Sequence, residues 1–171
     1  LPEPEYRLLP AVVALSESGG LASLRLVRSG NVSAAATVRL AVNGVAGTPS
    51  DDLRFLYSGI SATPPPVSFV AGQSEALLDL AAFNDVMDEP GELFTLTVMN
   101  AAGTARLGPS ETIVIVGDND AQPSFSVSDV TVIEGGLANF TVSLSSPSGY
   151  STQCIVTTSD QSARASDGDF S

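Results

Sequence analysis

The 171-residue chain has no histidine, no tryptophan, no lysine and a single cysteine, Cys154. Without imidazole, Ser-His-Asp and Cys-His nucleophilic systems are excluded, as are histidine-ligated zinc and copper sites. One cysteine makes neither an internal disulfide nor a thiolate cluster, so Cys154 is expected to be a small buried hydrophobe. No apolar run approaches the roughly 18–20 residues of a membrane helix, and stretches such as Ala11-Val12-Val13-Ala14-Leu15 are short and rich in β-formers. No direct membrane insertion is expected. The chain opens at Leu1 with no methionine or apolar leader, as a processed product or an excised piece would.

All seven positive charges are arginine, scattered from Arg7 to Arg164, against 19 Asp and Glu, for a net charge of −12. No basic stripe exists to neutralise phosphates, which excludes nucleic acid as a partner. With 43% hydrophobic and only 15% charged residues, the chain is not a disordered acidic tail. Its length suits one large domain, or one medium domain and part of another.

What is present is period-two alternation, broken by clusters of Gly, Ser, Pro, Asn and Asp. Ala22, Leu24 and Leu26 form one inward set, as do Val38, Leu40 and Val42. Ala76, Leu78, Leu80 and Ala82 form another, followed by Phe94, Leu96 and Val98, while Thr112 to Val116 reads as a more thoroughly buried strand. About seven strands between Ala11 and Val116 predict an all-β, immunoglobulin-like sandwich. Thr63-Pro64-Pro65-Pro66 cannot donate to a sheet and is expected in an extended loop or along an edge.

The chain also repeats itself. Gly19-Gly20-Leu21-Ala22 recurs as Gly135-Gly136-Leu137-Ala138, and Ser50-Asp51 as Ser166-Asp167, both at an offset of 116. One complete module over residues 8–120 is thus followed by a partial second copy over 122–171. The same offset predicts that Cys154, Val156 and Thr158 point inward on a strand. Half a sandwich leaves the inner face of Phe140, Val142 and Leu144 open, and something must cover it.

The acids are clustered. Asp85, Asp88, Glu89 and Glu92, with Asn84 beside them, fall between two predicted strands; Asp118-Asn119-Asp120 follows the last strand of the first module, Glu17 its first and Asp51-Asp52 its third. Alternate connections of a sandwich lie at one end, so these four segments can converge on one tip. Two carboxylates about 4 Å apart repel by roughly 4 kcal/mol at an effective dielectric near 20. With no lysine present, a cation is the natural compensator. Oxygen donors on loops suit Ca²⁺ better than Mg²⁺, which demands tighter octahedral geometry. Solvated turn acids are the alternative reading of the same residues.

Val130-Thr131-Val132-Ile133-Glu134-Gly135-Gly136 and Phe140-Thr141-Val142-Ser143-Leu144 in the second copy, with Asn84-Asp85, Glu89-Pro90-Gly91-Glu92-Leu93-Phe94-Thr95-Leu96 and Gly117-Asp118-Asn119-Asp120 in the first, resemble Calx-beta domains. That family occurs in sodium/calcium exchangers and in many large extracellular proteins, and the resemblance covers nearly the whole chain. It implies calcium ligands at Glu17, Asp51 or Asp52, Asp85, Glu89, Glu92, Asp118 and Asp120, with Glu134 and Asp167 or Asp169 beginning an equivalent site in the second copy. Asn84 and Asn119 stand where the better calcium-binding members have acids, which implies fewer ions or weaker binding.

The resulting expectation is a non-catalytic, Ca²⁺-binding repeat acting as a structural, spacer or adhesion module of an extracellular or cell-surface protein. Its partners would be neighbouring modules of the same protein or other surface and matrix proteins. The alternative is a calcium-independent assembly module whose incomplete second copy is completed by a neighbouring chain in a homo-oligomer, fibre or sheath. A glycosidase built on paired carboxylates is disfavoured, because three tyrosines and no tryptophan leave little for a sugar platform. Asn31-Val32-Ser33 and Asn139-Phe140-Thr141 are glycosylation sequons, the first in a predicted loop and the second on a predicted strand.

Overall fold

A computed structural model describes residues 2–57, 59–101, 106–107 and 110–168. The chain divides into two compact units, Leu1–Asp85 with Pro90–Asn119, and Val86–Glu89 with Asp120–Ser171.

The first unit contains β1 (Glu5–Leu9), β2 (Val12–Ser16), β3 (Leu21–Ser29), β4 (Ala36–Ala46), a short helix α1 (Pro49–Asp52), β5 (Leu53–Phe55), β6 (Val67–Phe69), β7 (Glu75–Ala82), β8 (Glu92–Ala101), β9 (Arg106–Leu107) and β10 (Glu111–Gly117). They form two five-stranded sheets, β5-β7-β3-β1-β9 and β2-β10-β8-β4-β6. Alternation puts every second side chain on the inner face. Tyr6, Leu8, Leu24, Leu26, Leu78 and Leu80 from the first sheet meet Val38, Phe69, Phe94, Leu96, Val114 and Val116 from the second in one core. Each fully buried large apolar side chain contributes roughly 1.5–3 kcal/mol.

The all-β sandwich agrees with expectation, while its edges are richer than the alternation indicated. β1 precedes Ala11, and the stretch after α1 forms two three-residue strands, β5 and β6, on opposite sheets. Residues 63–66 form no strand and lead into β6 at a sheet edge, where missing N–H donors cost nothing. β10 corrects the expectation of a strand buried on both faces, for Ile113 and Ile115 are exposed while Thr112, Val114 and Val116 are buried. In a two-layer sandwich the outer face of β10 has no layer above it, so isoleucines there remain at the surface.

The chain changes sheet between β1 and β2, through a cis Leu9–Pro10 bond. β10 secures the crossing: the buried Thr112 Oγ1 donates to the Pro10 carbonyl at 2.8 Å, and the Ile113 amide donates to the Ala11 carbonyl at 2.9 Å. β2 then runs parallel to β10, from Val12 opposite Ile113 to Ser16 opposite Gly117.

In the second unit β11 (Phe125–Val127) pairs antiparallel with β12 (Val142–Leu144). Val127 faces Val142 and Phe125 faces Leu144, repeating the register of Leu8 with Leu26 and Tyr6 with Arg28 in the first unit. Phe125, Val127, Val142 and Leu144 are 38–52% exposed, whereas Tyr6, Leu8, Leu26 and Arg28 are at most 3% exposed. Asp88 belongs to this unit, bridged to Ser148, whose Oγ donates to Asp88 Oδ2 at 3.3 Å. Three expectations fail here. Cys154 is exposed, residues 154–158 form no strand, and Asn139 lies on none. A strand persists only with a paired neighbour and a layer to bury its face, and no described strand flanks these residues.

The repeat supplies its own stability test. Leu26→Ala should lower stability by about 2–5 kcal/mol in urea unfolding of the full chain, because it empties a site closed on both sides. Val142→Ala, at the equivalent but open position, should cost under about 1 kcal/mol. Equal costs would contradict the openness of the β11–β12 face.

Candidate metal centre

Strand register brings several connections to one end of the first unit. Ser16 lies opposite Gly117, Val116 opposite Glu92, Leu93 opposite Ala46, and Ala82 opposite Leu53. The segments that follow β2 and β10, that join β4 to β5 and that join β7 to β8 therefore emerge together, carrying Glu17, Asp118, Asp51 with Asp52, and Asp85. Glu92 adds its side chain from the first position of β8.

Glu17, Asp52 and Glu92 are only 5%, 8% and 9% exposed. The Glu17 amide donates to the Gly117 carbonyl at 3.1 Å, which sets Glu17 beside the turn into Asp118. Carboxylate oxygens of Glu17 and Asp85 lie within 4.8 Å of each other, as do those of Asp52 and Glu92. Asp52 is positioned by α1: the Thr48 amide donates to its Oδ2 at 3.1 Å, and the Asp51 and Asp52 amides donate back to the Thr48 carbonyl at 2.9 and 3.3 Å. Thr48 followed by proline, serine and two aspartates is a helix-start signature, with proline at the first helical position and acids in the first turn. That signal identifies Thr48 as the residue that aims Asp52, a role the acidic clustering did not reveal.

Gly47 is the second residue that clustering missed. Its φ is +89°, and a Cβ there would collide with the Glu92 carboxylate. The glycine lets the chain turn while Glu92 stays pressed against it. Arg54 crosses the outside of this end, donating to the Leu53 carbonyl at 2.8 Å and stacking its guanidinium 4.2 Å from the centre of the Phe83 ring.

Burial pushes the Asp52 carboxyl above the ordinary value of 3.8; its hydrogen bonds with Glu92 and the Thr48 amide oppose that shift, and the nearby Asp51 and Asp85 charges add to it. Two carboxyls in hydrogen-bond contact need a shared proton or a cation. All the donors are oxygens, three are nearly buried, and the others stand on loops, which is the chemistry of a hard divalent ion.

Six of the expected residues, Glu17, Asp51, Asp52, Asp85, Glu92 and Asp118, belong to the first unit, while Glu89 and Asp120 belong to the second. Glu134 and Asp167 are exposed and join no acidic group among the described residues, and Asp169 lies outside them. Asn84 uses its carboxamide to brace the loop, donating to the Asp85 carbonyl at 3.1 Å.

No family model matches the chain. A 91-residue segment, half of the chain, is 36% identical to the Adhesion G-protein coupled receptor V1 of Danio rerio, of whose length it spans 1%. Among solved structures the chain is similar to the apo-form Calx CBD1 domain, with a TM-score of 0.58 and 22% identity over 70% of the chain and 100% of that domain. The calcium binding domain CBD12 of CALX1.1 matches 75% of the chain over 52% of its own length, with a TM-score of 0.57 and 22% identity. The Calx CBD2 domain matches 66% of the chain over 85% of its own length, with a TM-score of 0.51 and 14% identity. These neighbours are Calx-beta domains, and the chain has their fold, the fold implied by the motifs around Glu89 and Asp118.

A raised folded-state pKa at Asp52 means that the ion-free unit holds this proton more tightly than the unfolded chain does. The associated stability is complete below the unfolded value and is lost as pH rises through the folded value. In chelator, Asp52→Asn should therefore gain stability relative to the native chain as pH rises from about 4, read as the difference in urea midpoints. A difference independent of pH would contradict the assignment.

Proposed function

We propose that the first unit is a non-catalytic calcium-binding module of an extracellular or cell-surface protein, serving as a structural, spacer or adhesion repeat. One observation carries this reading: Glu17, Asp52 and Glu92, nearly buried, converge with Asp85 at one end of a sandwich in a chain without lysine or histidine. Such a group is strained by its own charge and relieved by a cation.

Glu17, Asp51, Asp52, Asp85, Glu92 and Asp118 would hold the ion, and Glu89 and Asp120 join them on the Calx-beta resemblance. The ion supplies positive charge where the Asp52–Glu92 contact otherwise takes up a proton. Thr48 and Gly47 keep Asp52 and Glu92 in place before it arrives. The extracellular assignment rests on the likeness to an adhesion receptor, and neighbouring modules of the same protein or other surface and matrix proteins are the partners this implies.

A second reading, calcium-independent assembly with neighbouring chains, is favoured by the open inner face of Phe125, Val127, Val142 and Leu144. Sedimentation velocity in chelator separates the two. Concentration-dependent oligomers that calcium does not alter would favour assembly.

The direct test of the calcium reading is thermal unfolding of the full chain with a few millimolar Ca²⁺ and with chelator. At about a hundred times its dissociation constant, one ion adds about 2.7 kcal/mol, a midpoint rise of roughly 5–10 °C for the first unit. Asp85→Ala should abolish most of the rise. No shift in the native chain would leave the acids as solvated turns and overturn the reading.

A further inference from the structure

The other end of the first unit holds a buried cation. β3 starts at Leu21 beside the acidic connections and runs away from them to Ser29, so Arg28 sits at the far end. It is 3% exposed, and among the described residues no carboxylate forms an ion pair with it. Nη2 donates to the Ala34 carbonyl at 2.8 Å and to the Asn31 carbonyl at 3.3 Å. Nε and Nη1 find no acceptor among the described residues.

Directly across the sheet from Arg28 is Tyr6, fully buried, whose hydroxyl also has no partner among the described residues. Both side chains rest on Phe69 of the opposite sheet: the Tyr6 ring meets it edge-on at 5.7 Å, and the Arg28 guanidinium lies 5.9 Å from its centre. A guanidinium cannot shed its proton, and a buried cation without a counter-charge is strongly disfavoured. The aromatic face offsets part of that cost and satisfies none of the donors.

The corresponding pairing of the second unit, on its open face, carries no polar group. At the same cross-strand position the second unit carries Phe125 and Leu144, so both polar groups are replaced together by apolar ones. A buried arginine retained only for packing would not call for a phenol opposite it. Two polar groups that occur together at one position, each with unused hydrogen-bonding capacity, fit one shared acceptor.

We propose that Tyr6 and Arg28 form an internal site for a small monovalent anion of the halide class, with Arg28 Nε–H, Arg28 Nη1–H and the Tyr6 hydroxyl as donors. A halide accepts all three and neutralises the guanidinium, whereas a water accepts two and leaves the charge. By fixing Arg28, the anion also secures the 30–35 loop through the Asn31 and Ala34 carbonyls.

Thermal unfolding of the full chain in sodium chloride and in sodium gluconate at equal ionic strength tests this, gluconate being too large to enter. Chloride at about ten times its dissociation constant should raise the midpoint by roughly 3–5 °C over gluconate. Tyr6→Phe/Arg28→Leu, the pair the second unit already uses, should erase the difference. Crystals soaked in sodium bromide should give an anomalous peak at hydrogen-bond distance from Arg28 Nε and Nη1. Equal midpoints for the native chain in the two salts, a difference that survives the double substitution, or density there without anomalous signal would each overturn the proposal. Should the double variant not fold, the native salt comparison and the bromide peak still decide.

Discussion

The first unit depends on the chain changing sheet between β1 and β2. One short segment supplies a strand to each layer, and the hydrogen bonds from Thr112 to Pro10 and from Ile113 to Ala11 tie the crossing to β10. The parallel β2–β10 register follows from that attachment, and with it the position at which both strands end. Glu17 meets Gly117 because Ser16 already faces it. The acidic end is thus a consequence of strand register, and a one-residue slip would turn the inner face outward as well as scatter the acids.

The same register concentrates negative charge where the sheets stop. Asp52 and Glu92 approach closely enough to share a proton because Gly47 makes room for one and the Thr48 amide holds the other. Neither support is acidic, and both act by lowering the freedom of the carboxylates to move apart. At the far end the polarity is reversed: one buried guanidinium and a phenol stand among apolar side chains. Arg28 therefore lies about the length of β3 from the acidic end and cannot neutralise it.

The two units show which properties travel with local sequence. β11 and β12 reproduce the register of β1 with β3, so cross-strand pairing is set within a few dozen residues. Burial does not follow, because Val142 remains exposed where Leu26 is closed off by an opposing layer. Residues 154–158 carry alternation as clear as that of Val38, Leu40 and Val42, yet form no strand. Alternation is permission to be a strand; a neighbour and a second layer are what realise it.

The sequence by itself determined that the chain is all-β, which side chains of β3, β4, β7 and β8 face inward, that the acids fall in connections between strands, and that Gly-Gly-Leu-Ala and Ser-Asp recur at one offset. Each of these is encoded by residues near one another in the chain, through the two-residue pleat or a shared offset. Only the tertiary structure decided that Ile113 and Ile115 stay at the surface, that Cys154 is exposed, and that Glu92 presses against Gly47. It alone placed Tyr6 opposite an arginine without an acid. These outcomes depend on what lies across a sheet or on the far layer, and such contacts join residues tens of positions apart that no local pattern links.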